Sequence, residues 1–482
     1  MDQEQRDALC NIALESALSA GARYAEVRLV ERQREMLDYR DGTIDVSASY
    51  RDLGIGIRAL GAEGWGYGAT SLLNPKGIQR AARDAVAAAA ATSTLLEGGP
   101  QVPQAVSGTY TTPLREDPFE VSLEEKNDLF AEAHRRMHKK AGIKVAKGTL
   151  TSHRQKQNFR ASNGSVQDQE ITLCGGGLAA LAEHEGDVQV RSGPKSHEGN
   201  ILQGGFECFR AFNLPLQGER LAEEAVQLSR AEATPSGPRT IVLDGAQLSL
   251  QIHESVGHPI ELDRVFGEEI SLAGASFALP DKLGSAYGSE LVNLSADATT
   301  PYGPGTFGFD DEGTPATCTP IVQEGTFVGY LSGRDSAAAL GRASGSAFRA
   351  ESWSRQPIVR MNNVNLEPGT GSFDDLIGGI DDGLYLSVNK SWSIDDLRLN
   401  FQFSCEAAYE IKGGKLTGRI FRNPVYFGVT PSFWGACSAI AGPEAWQMWG
   451  WAFCGKGDPG QIMYVGHGCA PTRFDNVSVG HT

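Results

Sequence analysis

Ala233-Thr234-Pro235-Ser236-Gly237-Pro238 divides the chain. Proline lacks the backbone N–H that helices and sheet ladders need, and glycine stabilises neither element. Such a cluster between patterned segments marks a linker. The whole chain has 482 residues, more than one ordinary hydrophobic core organises. The boundary therefore predicts two domains, residues 1–235 and 236–482.

Upstream, residues 3–20 carry a helical pattern. Ala25-Glu26-Val27-Arg28-Leu29-Val30-Glu31 then alternates apolar and polar, the period of a half-buried strand. Strand-like runs follow near 34–48 and 53–60, with a hairpin signal at Asp41-Gly42. The glycine-rich run 61–68 predicts a turn, and the run Asn74–Ala91 an alanine-rich helix. Residues 93–121 read as an extended connection. Ser122 and Glu125 form a capping-box pattern that opens a helix to about Lys140. Residues 143–196 hold several strands with a second hairpin signal at Asn163-Gly164, and Leu221–Ala231 a short helix. Downstream, Arg239–Leu243 reads as a strand and Ala246–Gly257 as a helix. From 260 onward glycine, proline and turn pairs separate short strand-like segments such as Thr319–Glu324, Thr326–Leu331 and Ala408–Leu416. The fold class is α+β: an N-terminal α/β domain with a mostly antiparallel sheet, and a C-terminal, mostly β, barrel-like domain that carries the helix 246–257.

A net charge of −16 and a pI near 5.1 leave no basic block, which argues against a nucleic-acid partner. The first residues, MDQEQRDALCNIALE, lack a basic leader, and the apolar run Ala85–Ala91 is too short to span a bilayer. A cytoplasmic protein without membrane contact is expected. Eight cysteines are scattered without any CxxC pair, the usage of reduced, packed thiols.

His253-Glu254-Ser255-Val256-Gly257-His258 stands out chemically. Two imidazoles on one helix can share a metal ion, and the usual spacing is HExxH. Here the histidines are five apart. At about 100° per residue, five residues turn through roughly 140° beyond a full turn, so a regular α-helix would splay the rings. Gly257 and Pro259 flank His258, and a π-bulge or unwound final turn there would bring the rings together. The competing reading is a helix end carrying a dipole-stabilised His258 and a surface Glu254. A catalytic metal wants a third protein ligand, and Glu261, Asp263, Cys454, His467 and Cys469 are candidates. Cys454, in Phe453-Cys454-Gly455-Lys456-Gly457, and Cys469, in Gly466-His467-Gly468-Cys469, both read as glycine-flanked loop residues. Local chemistry does not separate them.

Nearly the whole chain resembles the TldD/PmbA peptidases. Gly21–Arg28 is similar to that family's first strand, and the run from Asp41-Gly42 to Gly54-Ile55-Gly56-Ile57-Arg58 to its meander. The segment 253–258 resembles the TldD-type motif. So do Phe309–Gly313, the run from Met361-Asn362-Asn363 to Glu367-Pro368-Gly369, and Cys454-Gly455-Lys456 followed by Gly460-Gln461. The resemblance implies a metallopeptidase with Zn2+ (or another divalent transition metal) on His253, His258 and Cys454. It also implies a dimer, either with a PmbA (TldE)-like subunit that lacks the motif or with a second copy. Three segments depart from the family pattern. Residues 388–405 lack the expected glycine-rich run, 432–452 are unusually aromatic, and 464–473 differ.

On this reading Glu254 is the general base for water attacking a peptide substrate. Arg264, His467, and tyrosine or backbone donors are all candidates to steady the oxyanion. Asp310, Asp311 and Glu312 read as a solvated or turn-capping cluster, with peptide amino-group binding or electrostatic gating as the sharper alternative. The aromatic patch reads as core, or alternatively as a groove for apolar side chains. Two other functions compete: a tailoring amide hydrolase for modified or natural-product precursor peptides, and a scaffold subunit of a peptidase complex.

Overall fold

A computed structural model describes residues 1–92, 99–268 and 274–481. Of the connection read over 93–121, residues 93–98 lie outside this description. The first sheet is built on four long strands. In spatial order Trp65–Thr70, Thr43–Leu60, Tyr24–Arg40, Ile143–Ala161 and Val166–His184 pair antiparallel. Asp187–Gly193 and Asn200–Gln203 also pair antiparallel with Val166–His184, and Ser107–Thr111 joins it in parallel. The runs read separately near 34–48 and 53–60 belong to two long strands that turn at Asp41-Gly42. Gly42 supplies a positive φ of 87° for that turn. The run 61–68 is a turn only at its start, because Trp65 already opens a strand.

Alternation explains how this sheet is used. Residues of one parity on strand Tyr24–Arg40, Val27 and Leu29 at one end and Leu37 and Tyr39 at the other, face the helices. Helices Gln3–Ser19 and Pro75–Ala90 cover the first end, with Ala13, Ala17, Ile78 and Ala82 in that core. Helices Leu123–Met137 and Leu214–Ser229 cover the second, through Phe130, Met137 and Leu221. In the first part of the strand, Tyr24 to Val30, the opposite parity does not face solvent either. Glu26, Arg28 and Arg58 are buried against the C-terminal half of the chain, so the segment read as half-buried is buried on both faces. Glu26 pairs with Arg334, and Arg28 donates to the Arg355 carbonyl (2.8 Å). The helix read from Leu221 starts at Leu214, after Asn213 in the left-handed region and with Pro215 in its first turn.

The segment read as a free linker is pinned. Glu232–Ala233 pairs in parallel with Phe421–Arg422, the Thr234 N–H donates to the Arg422 carbonyl (3.2 Å), and a strand runs from Gly237 to Leu243. Both prolines lie at the sheet margin, where a missing donor costs little.

That strand opens a closed five-stranded barrel. Gly237–Leu243 pairs with Asp382–Ile394 and Thr472–His481, the latter with Pro424–Val429, that with Asn400–Lys412, and that with Asp382–Ile394 again. The protein is thus α+β, with a mostly antiparallel first sheet and a barrel in its C-terminal half. Two segment readings shift. Thr326–Leu331 contributes a strand only at Thr326–Phe327, and Ala408–Leu416 spans a hairpin turn at Gly413-Gly414. Helix Gly245–Ile252 follows the first barrel strand, capped by Asp244, which accepts from the Gln247 N–H (2.7 Å). Every residue of that helix is buried, and Gln247 donates to the Tyr426 hydroxyl of a barrel strand (2.7 Å).

Candidate metal centre

Helix Gly245–Ile252 ends in one π turn, His253–Gly257, in which the His258 N–H reaches the His253 carbonyl (3.1 Å). A π turn advances less per residue than an α turn, so residues five apart return to nearly the same side. The two imidazoles stand 4.8 Å apart, centroid to centroid, with planes at 88°. The turn is held from outside. The Tyr287 hydroxyl donates to the Ser255 carbonyl (2.6 Å), and the Trp434 indole to Ser255 Oγ (3.0 Å). Gly257 lies against Met361, whose sulfur would be 2.1 Å from any Cβ at that position.

The third element is the hairpin Gln447–Lys456 / Gln461–Cys469. Cys454 lies on its first strand, opposite Met463, and is buried. The glycines around it made it read as a loop residue. The partner strand instead pairs both Cys454 and Gly455, and Cys469 lies on that partner strand. The ligand atoms of His253, His258 and Cys454 all lie within 4.8 Å of one another.

Hydrogen bonds determine which nitrogen each imidazole offers. His467 Nδ1 lies 2.9 Å from the Val364 carbonyl and so must donate to it. Its Nε2 is then an acceptor for the His253 Nδ1–H at 2.8 Å, and His253 keeps its Nε2 lone pair free. His258 Nδ1 donates to Glu261 at 3.1 Å, which frees its Nε2 in the same way. Burial pushes His253 down to about 4 and His467 well below the usual imidazole range, so both remain neutral near pH 7. For Cys454, burial raises the thiol, but Arg360 and His258 outweigh it and the net shift is downward. Two imidazoles whose Nδ1 atoms are engaged elsewhere and a thiol disposed to ionise are the donor set of a zinc-type site, so these residues fit such an ion.

The other candidates have different tasks. Glu261 is fully buried and accepts from His258 and from Arg264 (2.8 Å), with Lys456 at 3.5 Å. Burial opposes its charge, yet Lys456, Arg264 and His258 hold it well below the usual carboxylate range. Asp263 accepts from Lys456 (2.7 Å). Cys469 donates to the Gly245 carbonyl (3.4 Å), and burial raises its thiol well above normal. Arg264 is held between Glu261 and the Gly274 carbonyl (2.8 Å), and His467 behind His253, so neither serves the oxyanion role considered for it.

Glu254 is buried, not a surface residue. It lines a cleft of about 470 Å³ together with His253, His258, His197, Trp392 and Arg398. Arg398 pairs with Glu254 at 2.7 Å. Burial raises this carboxyl, but His258, His253 and Arg398 more than compensate, and it lies below its ordinary value. His197, Trp392 and Arg398 were missed in the sequence. Trp392 and Arg398 lie in 388–405, the first of the departing segments, and that departure was the only signal. Trp451, from the aromatic patch, also borders the cleft, whereas Phe433 and Trp434 belong to the core. Asp310, Asp311 and Glu312 are buried, so the solvated reading fails. Asp310 caps a turn by accepting from the N–H groups of Glu312 (3.1 Å) and Thr314 (2.9 Å).

The chain matches the profile of the PmbA/TldA metallopeptidase C-terminal domain over residues 236–481, of domain 1 over 25–89 and of the central domain over 116–231. A metalloprotease of Methanothermobacter thermautotrophicus is 30% identical over 465 residues, 95% of this chain and 96% of that protein. The metalloprotease TldD homolog of Haemophilus influenzae is 26% identical, covering 95% and 93%. The zinc metalloprotease TldD homolog of Saccharolobus solfataricus is 24% identical, covering 66% and 68%. Among solved structures, a Thermotoga maritima protein superposes with a TM-score of 0.77 at 17% identity, covering 98% of this chain and 99% of that one. TldE from Thermococcus kodakarensis superposes with 0.70 at 16%, covering 98% and 100%. At these identities the structural likeness speaks to fold alone. No helix among the described residues is long and apolar enough to cross a membrane.

Proposed function

The chain belongs to the PmbA/TldD family of metallopeptidases, and on that premise we propose that it hydrolyses peptide bonds in unfolded or flexible peptides, with His253, His258 and Cys454 as ligands of Zn2+ or another divalent transition metal. The observation that carries this reading is the pair of outward hydrogen bonds, His253 to His467 and His258 to Glu261, which leaves both Nε2 lone pairs beside the Cys454 sulfur. A bound divalent ion would supply Lewis acidity, polarising a carbonyl and making water a nucleophile near neutral pH.

The rest falls to the chain's own residues. Glu254 is the general base: ionised, buried, at the cleft wall and next in sequence to a ligand. It takes the proton from water and returns it to the departing amine. Arg398 positions Glu254, because its guanidinium fixes one carboxylate oxygen at the wall of the cleft. Trp392 adds a hydrogen bond to Glu254, and Trp451 and Phe453 line the cleft around it. A cleft of about 470 Å³, with His253, Glu254 and His258 buried at its floor and Trp392 and Phe453 exposed at its rim, admits a few residues of extended chain more readily than a folded surface.

A second reading rests on the same cleft. Trp392 and His197 meet edge to face at 5.4 Å beside it, and such flat aromatic walls suit a modified peptide carrying rings. On that reading the chain is a tailoring amide hydrolase for natural-product precursors. The remaining proposals are a cytoplasmic location, a dimer with a TldE-like subunit or with itself, and a functional boundary between residues 1–235 and 236–482.

Elemental analysis and peptide turnover test the assignment together. Wild type is expected to carry about one equivalent of metal, and His258→Ala and Cys454→Ala far less. Glu254→Gln should keep the metal and lose about 10²–10⁴-fold in turnover. Undiminished turnover in Glu254→Gln defeats the base assignment. A wild-type chain that takes up no metal leaves the scaffold-subunit reading standing.

A further inference from the structure

A second cavity, of about 220 Å³, lies where the first sheet meets the hairpin that bears Cys454. It shares a wall with the cleft, since Phe453 lines both. Phe453 directly precedes Cys454, and Met463, opposite Cys454 in the hairpin, lines the cavity as well. The volume falls short of the roughly 300 Å³ at which whole-ligand pockets begin, and suits one side chain or a chain end.

The polar groups in this cavity do not balance. Arg34 and Arg349 both line it, and neither forms an ion pair among the described residues. Arg349 donates to the carbonyls of Met361 (2.7 Å) and Tyr464 (3.1 Å), and the Asp311 carboxylate acts on it only at longer range. The acids at the wall are engaged. Asp311 faces Arg28 (3.5 Å), Gln157 (2.8 Å) and the Ala350 N–H (2.7 Å). Asp310 is held by backbone N–H groups, and Glu351 by the Ile462 N–H (2.9 Å) and Arg32. Arg34 hydrogen-bonds the Tyr50 hydroxyl, and Glu198 acts on it only at longer range. Four buried polar atoms also lack any partner: Arg34 Nε, His153 Nδ1, Gln157 Oε1 and Tyr464 Oη. Such orphans are costly inside a protein, and several converging on one cavity mark a place shaped for a polar occupant. In a chain of net charge −16, two arginines in one cavity without a carboxylate in salt-bridge contact select an anion.

We propose that this cavity receives a carboxylate of the substrate, from an acidic side chain or from the free C-terminus, with Arg34, Arg349 and Tyr464 as its donors. Gln157 Oε1 then accepts the backbone N–H of the residue that bears the carboxylate. The substrate class is therefore acidic peptides, anchored on the far side of Phe453 from the bond to be cut. This inference rests on the peptidase reading of the neighbouring cleft.

Binding and turnover separate the two ideas. The probes are unstructured octapeptides in matched pairs, with Glu or Gln at successive positions and with a free or amidated C-terminus. Affinity is measured by fluorescence anisotropy on chelator-treated protein, and kcat/KM on the metal-loaded protein. The expected result is a roughly tenfold tighter binding of one carboxylate-bearing member, which falls to within twofold in Arg34→Gln and Arg349→Gln. Tyr464→Phe, which removes one oxygen and keeps the ring, should lose about threefold even if an arginine variant folds poorly. The Glu/Gln pairs implicate a side chain, the free/amide pairs the terminus. Equal binding within every pair, or a preference that survives Arg34→Gln, overturns the proposal. Acid-selective binding without hydrolysis of any peptide overturns the peptidase reading alone, and unselective hydrolysis overturns this inference alone.

Discussion

At the scale of the residue, the centre depends on hydrogen bonds made on the far side of its imidazoles. His467 can accept from His253 only because its own Nδ1 donates to the Val364 carbonyl. Turning that chain around would put a proton on the nitrogen a metal needs. His467→Phe should therefore weaken metal binding by about 10–100-fold while the protein stays folded, measured by competition with a chromophoric chelator. An unchanged affinity would show that His253 needs no such orientation. Glu261 does the same for His258, but its removal is a harsher change, since it also takes the ion-pair partner from buried Arg264. These roles were hidden in the sequence for a physical reason. Glu261 and His467 were both visible as candidate ligands, yet spacing says nothing about which nitrogen a ring presents. Cys454 could be separated from Cys469 only by family resemblance, because both are cysteines among glycines. Their difference, one thiol beside Arg360 and the other against the Gly245 carbonyl, arises from chain distant in sequence by 94 and 224 residues.

At the scale of the element, the π turn is the feature on which the site's shape depends. Five-residue spacing demanded an irregular turn, and Gly257 and Pro259 pointed to where it lies. The sequence did not show why residue 257 must be glycine: a Cβ there would collide with the Met361 sulfur. Gly257→Ala should cost about 1–3 kcal/mol by overpacking and reduce bound metal, and Met361→Ala should restore part of both. Denaturant unfolding beside elemental analysis checks this, and a fully stable, fully loaded Gly257→Ala would refute it. Local signals served best where an element is built locally. Ser122 opens helix Leu123–Met137 and Asp41-Gly42 turns the first hairpin. They misled at Cys454, because the strand that orders it, Gln461–Cys469, is recruited from beyond a turn. Helix Leu123–Met137 carries a pH dependence of its own. His134 is fully buried and accepts from the Gly42 N–H at 2.7 Å, and burial pushes it from 6.5 down to about 4. The unfolded chain binds this proton at higher pH than the folded one, so stability is full above about pH 6.5 and declines as pH falls toward 4. The loss should approach about 3 kcal/mol. In metal-free protein, His134→Gln should flatten the fall of the unfolding midpoint between those pH values, and an unaltered slope would exclude His134 as its source.

At the scale of the whole molecule, the long strands serve two masters: one parity holds helices, the other holds the C-terminal half of the chain. Period-two alternation showed the first use and suggested solvent for the second. The charged residues of the second parity are instead buried in pairs across the junction, which no pattern along one strand reveals, because each partner comes from another part of the chain. Arg191 is the clearest case. It leaves strand Asp187–Gly193 of the first sheet, almost fully buried, and bonds Glu406 of the barrel at 3.1 Å and Glu224 of helix Leu214–Ser229 at 2.9 Å. Glu224 has a second partner in Arg220 at 2.7 Å, whereas Glu406 otherwise relies on the backbone and hydroxyl of Ser192. Burial alone raises the Glu406 carboxyl, to about 7, even against Arg191. Removing only the arginine should thus leave a carboxyl that the interior disfavours as an ion, a loss of about 3–5 kcal/mol. Replacing both partners by uncharged groups of similar size should cost much less, since no charge is then left unpaired. Arg191→Met is accordingly expected to lower the unfolding midpoint strongly, and Arg191→Met/Glu406→Gln to recover most of the difference. A double variant no more stable than Arg191→Met would mean that Arg191 acts through its packed stem and not through its charge.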